Sequence, residues 1–318
     1  MDFDLFIQQL VIGLTNGMVF ALIALGYTMV YGILEFINFA HGDLFMLASF
    51  LALTLVGLFG LDAVGPLGLT AGLFAVVVIC ALFAGGLNWS VDRIVYKPLR
   101  NAPKVATLVS AIGVSFIFQN IGLFWGALPM EVFGNGMAAA APKAFPNLLS
   151  QDNLLGETAS LRFTAKDVVV IASSIAVMVG LYFLVKRTTL GKSMRAVAQN
   201  PTAARLMGIN VDRVIGSTFF IGGGLAGFAA VIYALYINTI HYQLGYQNGL
   251  YAFTAAVLGG IGNIMGAVVG GLVIGIVRAF SDQAIGAEWQ PAVLFGMLIL
   301  ILVFRPQGLL GSNVREKV

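Results

Sequence analysis

Two histidines, His41 and His241, and one cysteine, Cys80, are all that this 318-residue chain offers to imidazole or thiol chemistry. They lie far apart in sequence. No H-E-x-x-H, G-x-S-x-G or cysteine pair accompanies them, so metal-dependent and serine hydrolysis lack their parts. A single cysteine allows no intrachain disulfide. The run Leu190-Gly191-Lys192-Ser193 is similar to the end of a phosphate-binding loop, but that pattern requires a glycine where Lys186 stands and a strand before it. The chain is therefore read as having no catalytic residue, no metal site and no nucleotide site of its own.

The informative polar residues sit in interruptions of apolar runs. Residues 31–45, YGILEFINFAHGDLF, place Glu35, Asn38, His41, Gly42 and Asp43 between two such runs. Two readings stand: a tight turn with its polar residues in water, or a polar break within a solute pathway, because ionisable groups inside a bilayer are costly and tend to be functional. A second interruption, AVLGGIGNIMGAVVGG, lies within 250–280. A helix over 250–280 would be about 46 Å long, more than one upright span requires. Two short arms joined near Gly259–Asn263 fit better, and irregular backbone at that depth must be buried in protein or line a cavity. Paired interruptions in the two halves of a transporter mark a midplane site. The candidate pathway residues are therefore Asn38, His41, Asp43, Gly259, Gly260, Gly262 and Asn263.

The elements that hold these residues must be membrane helices. The chain is 59% hydrophobic and 10% charged, with a mean hydropathy of +0.94. A soluble domain carries about 25% charged residues, and too little polar residue remains here to coat a water-soluble globule. Soluble enzymes, nucleic-acid binders and secreted disulfide scaffolds are excluded. Apolar runs over 5–34, 43–60, 67–90, 105–126, 167–186, 214–237, 250–280 and 290–304 are long enough for helices and too long for barrel strands. The expected fold is an all-α polytopic membrane bundle of about eight segments forming one domain, 1–318, with broken helices near 31–45 and 250–280.

Basic residues orient it. Arg93, Lys97, Arg100 and Lys104 form one patch; Lys186, Arg187, Lys192, Arg195, Arg205 and Arg213 form a second; Arg305, Arg315 and Lys317 form a third. These patches are expected on the cytoplasmic side, with the N-terminus and the loop 127–166 outside. The start holds Asp2 and Asp4 and no basic residue, so the first helix is expected to be retained rather than cleaved as a signal peptide. Glycines four apart, at Gly13 and Gly17, Gly223 and Gly227, and Gly262, Gly266 and Gly270, suit close helix packing or a subunit interface. His241, Tyr242, Tyr246 and Tyr251 are assigned to an interfacial aromatic belt.

The loop 187–213 is the longest polar stretch among the expected cytoplasmic ones. Asn200 is suited to cap a helix, Pro201 to its first position and Gly208 to its end. Ala204, Leu206 and Met207 give it a short apolar face. Such an element either docks into a groove of another protein or lies on anionic lipid.

Three segments in order, 21–50, 191–215 and 252–276, closely resemble the membrane permeases of branched-chain amino acid ABC importers, the LivH-type subunit. Permeases for urea and short amides look similar in the same segments. The resemblance covers the chain from about residue 5 to its tail, except mainly for 130–160. It implies a second related permease, two cytoplasmic ATPases that bind ATP and magnesium, a periplasmic binding protein, and residence in the bacterial inner membrane. It also implies that Asn200, Pro201, Ala204, Arg205, Leu206, Met207 and Gly208 form the element seated in the ATPase. A zwitterion with an aliphatic side chain would need hydroxyls or helix N-termini for its carboxylate, carbonyls or an acid for its ammonium, and apolar walls. Two other readings compete. An ion-coupled carrier would carry more intramembrane charge than Arg278 and the 35–43 cluster, and a purely structural subunit would not need the paired breaks.

Overall fold

The computed structural model describes residues 3–100, 102–136, 138–156 and 159–311. Asp2, Arg315 and Lys317 lie outside the described residues. The helices are α1 (Phe3–Leu34), α2 (Ala40–Phe59), α3 (Pro66–Val91), α4 (Lys97–Leu99), α5 (Lys104–Gly126), α6 (Ala165–Arg187), α7 (Thr189–Gln199), α8 (Pro201–Leu206), α9 (Val211–Ile237), α10 (Leu244–Gly259), α11 (Ile264–Ile285) and α12 (Gln290–Phe304). A π-helical turn, Asp92–Tyr96, joins α3 to α4. Eight helical stretches are long and apolar enough to cross a membrane. The protein is an all-α polytopic membrane protein.

Long-range contacts sort the ends of the helices. Glu35 meets Lys104, and Lys97 and Arg100 meet Asp212, at the end that gathers the connections after α1, α3 and α6. At the other end Gln8 bonds to Arg162, Gln9 to Gln283 and Lys166 to Asn238. The chain thus runs up and down, and the first two basic patches share one end, called here the basic end. Antiparallel β1 (Lys143–Ala144) and β2 (Thr239–Ile240) tie the long opposite-end connection to the turn between α9 and α10. That connection folds onto the bundle, burying Phe133 and Phe145. It ends at 164, two residues earlier than expected, because Thr164 and Asp167 form a capping box that starts α6.

Helix α1 is the axis of the packing, its residues from Val19 to Val30 all buried. Small residues let backbones approach it, as expected in a membrane. A Cβ on Gly13 would lie 2.7 Å from the Cα of Ile276, and one on Gly17 would lie 2.9 Å from that of Leu272, both on α11. Gly223 and Gly227 of α9 pack in the same way against Ala84 and Cys80 of α3. Each of these pairs packs within the chain. Gly262 departs from its expected ladder: it lies outside α11, in the break before it.

The stretch 250–280 is two helices, as expected, but they begin and end further out. The break falls at 260–263. Gly260 and Gly262 have φ of 102° and 93°, a region that glycine enters freely and other residues rarely do. Asn263 then caps α11 by accepting from the Met265 and Gly266 amides at 3.0 and 3.2 Å. The tail covers the corner, with the Leu309 and Leu310 amides donating to the carbonyls of Leu258 and Gly259 at 2.7 and 3.0 Å. The tail thereby satisfies these two carbonyls at the end of α10.

Candidate functional site

The first break is shorter than expected. Helix α1 runs to Leu34 and α2 starts at Ala40, so His41 and Asp43 stand on the first turn of α2. Only Glu35 behaves as a turn residue in water; it sits at φ 52° and pairs with exposed Lys104 at 3.1 Å. Asn38, His41 and Asp43 are all buried. The reading as a solvated turn therefore fails for these three.

They are held by different neighbours. The Asn38 amide donates to Asn88 Oδ1 at 3.2 Å, and the Tyr96 hydroxyl donates to Asn38 Oδ1 at 2.7 Å. The π-helical turn places Tyr96 there. In the next turn Arg100 bridges Asp92 and Asp212, at 2.8 and 2.6 Å. His41 packs edge-on against Tyr27, ring centroids 4.7 Å apart, in space left by the missing side chain of Gly26. Asp43 accepts from the Ser115 hydroxyl on α5, and the Gln119 amide lies 3.4 Å from that hydroxyl.

Asp43 also lines a cavity of about 940 Å³ between α1, α2, α5, α10, α11 and α12. Its polar wall includes Ser115, Gln119, Arg278 and Gln290; its apolar wall includes Phe39, Phe116, Phe253, Leu294 and Phe295. Gln290 accepts from Arg278 Nε at 3.2 Å and from the Tyr251 hydroxyl at 2.9 Å. A mostly apolar cavity with a few convergent polar groups is the usual form of a small-molecule site.

The structure thus separates the seven candidate pathway residues. Asp43 alone among them lines this cavity. Asn38 and His41 are packed behind it and support the segment that carries Asp43. Gly259 and Gly260 form the packed corner at the basic end, where a Cβ on Gly259 would overlap the Gly266 carbonyl. Gly262 and Asn263 line a separate cavity of about 1150 Å³ with Glu35, Tyr182, Lys186 and Gln199. The two breaks thus meet in this second cavity, where Tyr31, Gly32 and Glu35 of the first stretch face Gly262 and Asn263 of the second, while Asn38, His41 and Asp43 stand apart from it. Tyr246 and Tyr251, expected in an aromatic belt, both line the first cavity, Tyr246 remaining exposed. His241 is half-buried between α9 and α10, and burial lowers its imidazole pKa below the ordinary 6.5.

Ser115, Gln119, Tyr27, Tyr233 and Gln290 were not singled out from the sequence. The Ser115 and Gln119 spacing, i and i+4 on an otherwise apolar helix, was a usable sign of a polar stripe. Gln290 stands at the head of the last apolar run and carries no such sign.

At the basic end, α7 and α8 form a compact pair. Gly191, Met194 and Val197 bury one face of α7. The Asn200 side chain caps α8 by accepting from the Ala203 amide at 2.9 Å, Pro201 takes the first turn, and Gly208 follows at φ 81°. Leu206 and Met207 are 84% and 82% exposed, whereas Ala204 is 4% exposed. Ala204 therefore belongs to the inward face and leaves the exposed apolar surface to Leu206 and Met207.

Comparison with known proteins agrees with this architecture. Residues 9–302 match the family described as branched-chain amino acid transport system / permease component. The chain is 40% identical to the high-affinity branched-chain amino acid transport system permease protein BraD of Pseudomonas aeruginosa, covering 98% of both chains. It is 37% identical to the Escherichia coli permease protein LivH, over 100% of this chain and 99% of that one. A probable branched-chain amino acid permease protein of Methanocaldococcus jannaschii is 27% identical over 93% of this chain and 89% of its own. No solved structure matches the chain. With a family match over nearly all of its length and relatives of equal extent, the chain belongs to the branched-chain amino acid transport system permease family.

Proposed function

We propose that this chain is the transmembrane permease subunit of an ABC importer of branched-chain amino acids in the bacterial inner membrane. It forms the pathway with a second, related permease. Two cytoplasmic ATPases hold ATP and magnesium and drive it, and a periplasmic binding protein delivers substrate. The basic end is cytoplasmic and the N-terminus lies outside. The observation that carries this reading is the capped α8 element at the basic end, which presents Leu206 and Met207 to solvent beside Arg205. Exposed apolar side chains on a rigid, capped turn are suited to a partner's groove.

The same element has a physical route to the cavity. Helix α8 leads into α9, whose first-turn Asp212 binds Lys97 and Arg100 at 2.8 and 2.6 Å. Arg100 holds Asp92 on the π-helical turn, and Tyr96 on that turn holds Asn38, five residues before Asp43. Closure of the ATPases would shift α7 and α8, and this chain of contacts would carry the shift to the α1–α2 break. The two states must differ in these contacts for ATP to drive the exchange.

The test is co-expression with the neighbouring permease and ATPase subunits, purification through a tag on this chain, and leucine uptake in liposomes. Both ATPases and a second permease should co-purify, and uptake should need ATP and the binding protein. Arg205→Glu or Leu206→Asp should leave the chain inserted while ATPase recovery and uptake fall at least about tenfold, as for loss of an interface anchor. A chain that purifies alone and moves solute down an ion gradient would overturn the reading.

A further inference from the structure

Two ionisable side chains of opposite type, Asp43 and Arg278, face this cavity. Asp43 is 1% exposed, and among the described residues no lysine, arginine or histidine lies within ion-pair distance of it. Ser115 is its hydrogen-bond donor. Arg278 lies seven residues before the end of α11. Its guanidinium carbon sits 4.7 Å from the Tyr251 ring centroid and 5.4 Å from that of Phe20. Gln290 Oε1 accepts a hydrogen bond from its Nε, and among the described residues no carboxylate pairs with it. Both side chains line the same cavity.

Helix α10 touches both side chains through its first two turns. Gly245 leaves room for Asp43, whose Oδ1 would lie 2.7 Å from a Cβ at that position. Tyr251, on another face of the same helix, carries Arg278. A charge held in a low-dielectric cavity without a counter-ion is strongly unfavourable. A ligand bearing one ammonium and one carboxylate would neutralise both at once. The guanidinium is suited to bind a carboxylate with two donors, and Phe116, Phe253, Leu294 and Phe295 offer an apolar wall to a hydrocarbon side chain.

We infer that this cavity is a binding site for a free zwitterionic amino acid, with Asp43 taking the α-ammonium, Arg278 taking the α-carboxylate, and the phenylalanine-rich wall taking an aliphatic side chain. Ser115 and Gln119 position the Asp43 carboxylate, and Gln290 positions Arg278. Urea and short amides lack both charges and would leave Asp43 and Arg278 uncompensated. The inference rests on the importer reading and assigns specificity to the permease itself as well as to a delivering protein.

The experiment uses the assembled permease–ATPase complex without the binding protein, and measures binding of leucine, leucinamide and 4-methylpentanoate by saturation-transfer NMR. Leucinamide lacks the carboxylate charge and 4-methylpentanoate lacks the ammonium. The wild-type complex should prefer leucine to either analogue by about tenfold or more, the scale of one lost charge-assisted bond. Arg278→Gln should remove the preference over leucinamide alone, and Asp43→Asn the preference over 4-methylpentanoate alone. Arg278→Lys, which keeps the charge, should restore part of the first. Failure of wild-type leucine binding in a complex that still transports leucine would overturn the inference and leave the importer reading standing. Equal preferences in the folded variants and the wild type would overturn it as well. A complex that takes up no leucine with ATP and a binding protein would instead overturn the importer reading, and this inference with it.

Discussion

The two interruptions of the bundle are alike in sequence position and opposite in structure. The break after α1 sends side chains inward: Asn38 to Asn88 and Tyr96, His41 to Tyr27, and Asp43 to Ser115 and the cavity. The break after α10 has almost no side chains to send. Gly259 and Gly260 close against α11 and against the backbone of the tail, and only Gly262 and Asn263 face the second cavity. A helix break in a membrane protein is thus either a carrier of polar groups or a packing corner, and the residue types within it decide which. Polar side chains must be satisfied by neighbours, whereas glycines satisfy backbone by letting backbone approach.

The largest effect that follows falls on the second break. Gly259→Ala forces a methyl group into the Gly266 carbonyl, where backbone on both sides cannot give, and should cost about 3 kcal/mol or more. Size-exclusion yield of the solubilised chain should collapse. Gly32→Ala is the matched control, because the nearest atom to its added Cβ is 3.6 Å away. A well-folded Gly259→Ala chain would mean that this break opens rather than packs.

Next comes the first break. Asn38→Ala leaves the Tyr96 hydroxyl and the Asn88 carbonyl oxygen buried without partners, at about 1–3 kcal/mol, read as a lower melting temperature in detergent. Tyr96→Phe should cost about 1 kcal/mol. The double variant should fall short of the sum, since both changes remove one shared bond. Additivity would show that Asn38 and Tyr96 act separately and that the route from the π-helical turn to Asp43 is not continuous. The smallest effect lies at the edge of the same break. Glu35→Gln should change stability by less than about 1 kcal/mol, because the Glu35 and Lys104 side chains are 71% and 76% exposed. A larger loss would place Glu35 inside the functional break rather than at its rim.

What was legible from the residues alone was what depends on near neighbours in the chain. Hydropathy located every membrane helix to within a few residues, except where α10 and α11 extend beyond 250–280. The glycines near 260 marked the corner, because free access to positive φ is a property of the residue itself. Asn200, Pro201 and Gly208 bounded α8, because capping involves only residues within a turn of one another.

The contents of the cavity were not legible in this way. Asp43, Ser115, Arg278 and Gln290 belong to four helices and meet only when those helices pack. Nor does a short apolar run reveal which of its members turns inward, so Ala204 was grouped with Leu206 and Met207 although it faces the bundle. The sequence by itself determined that the chain crosses the membrane, where its helices break and which element at the basic end is capped, since those properties are local. Only the tertiary structure decided that Asp43 of the first break enters one cavity while Gly259 and Gly260 of the second pack a corner. The partners of a buried polar group come from distant helices, and their meeting depends on how whole helix surfaces pack.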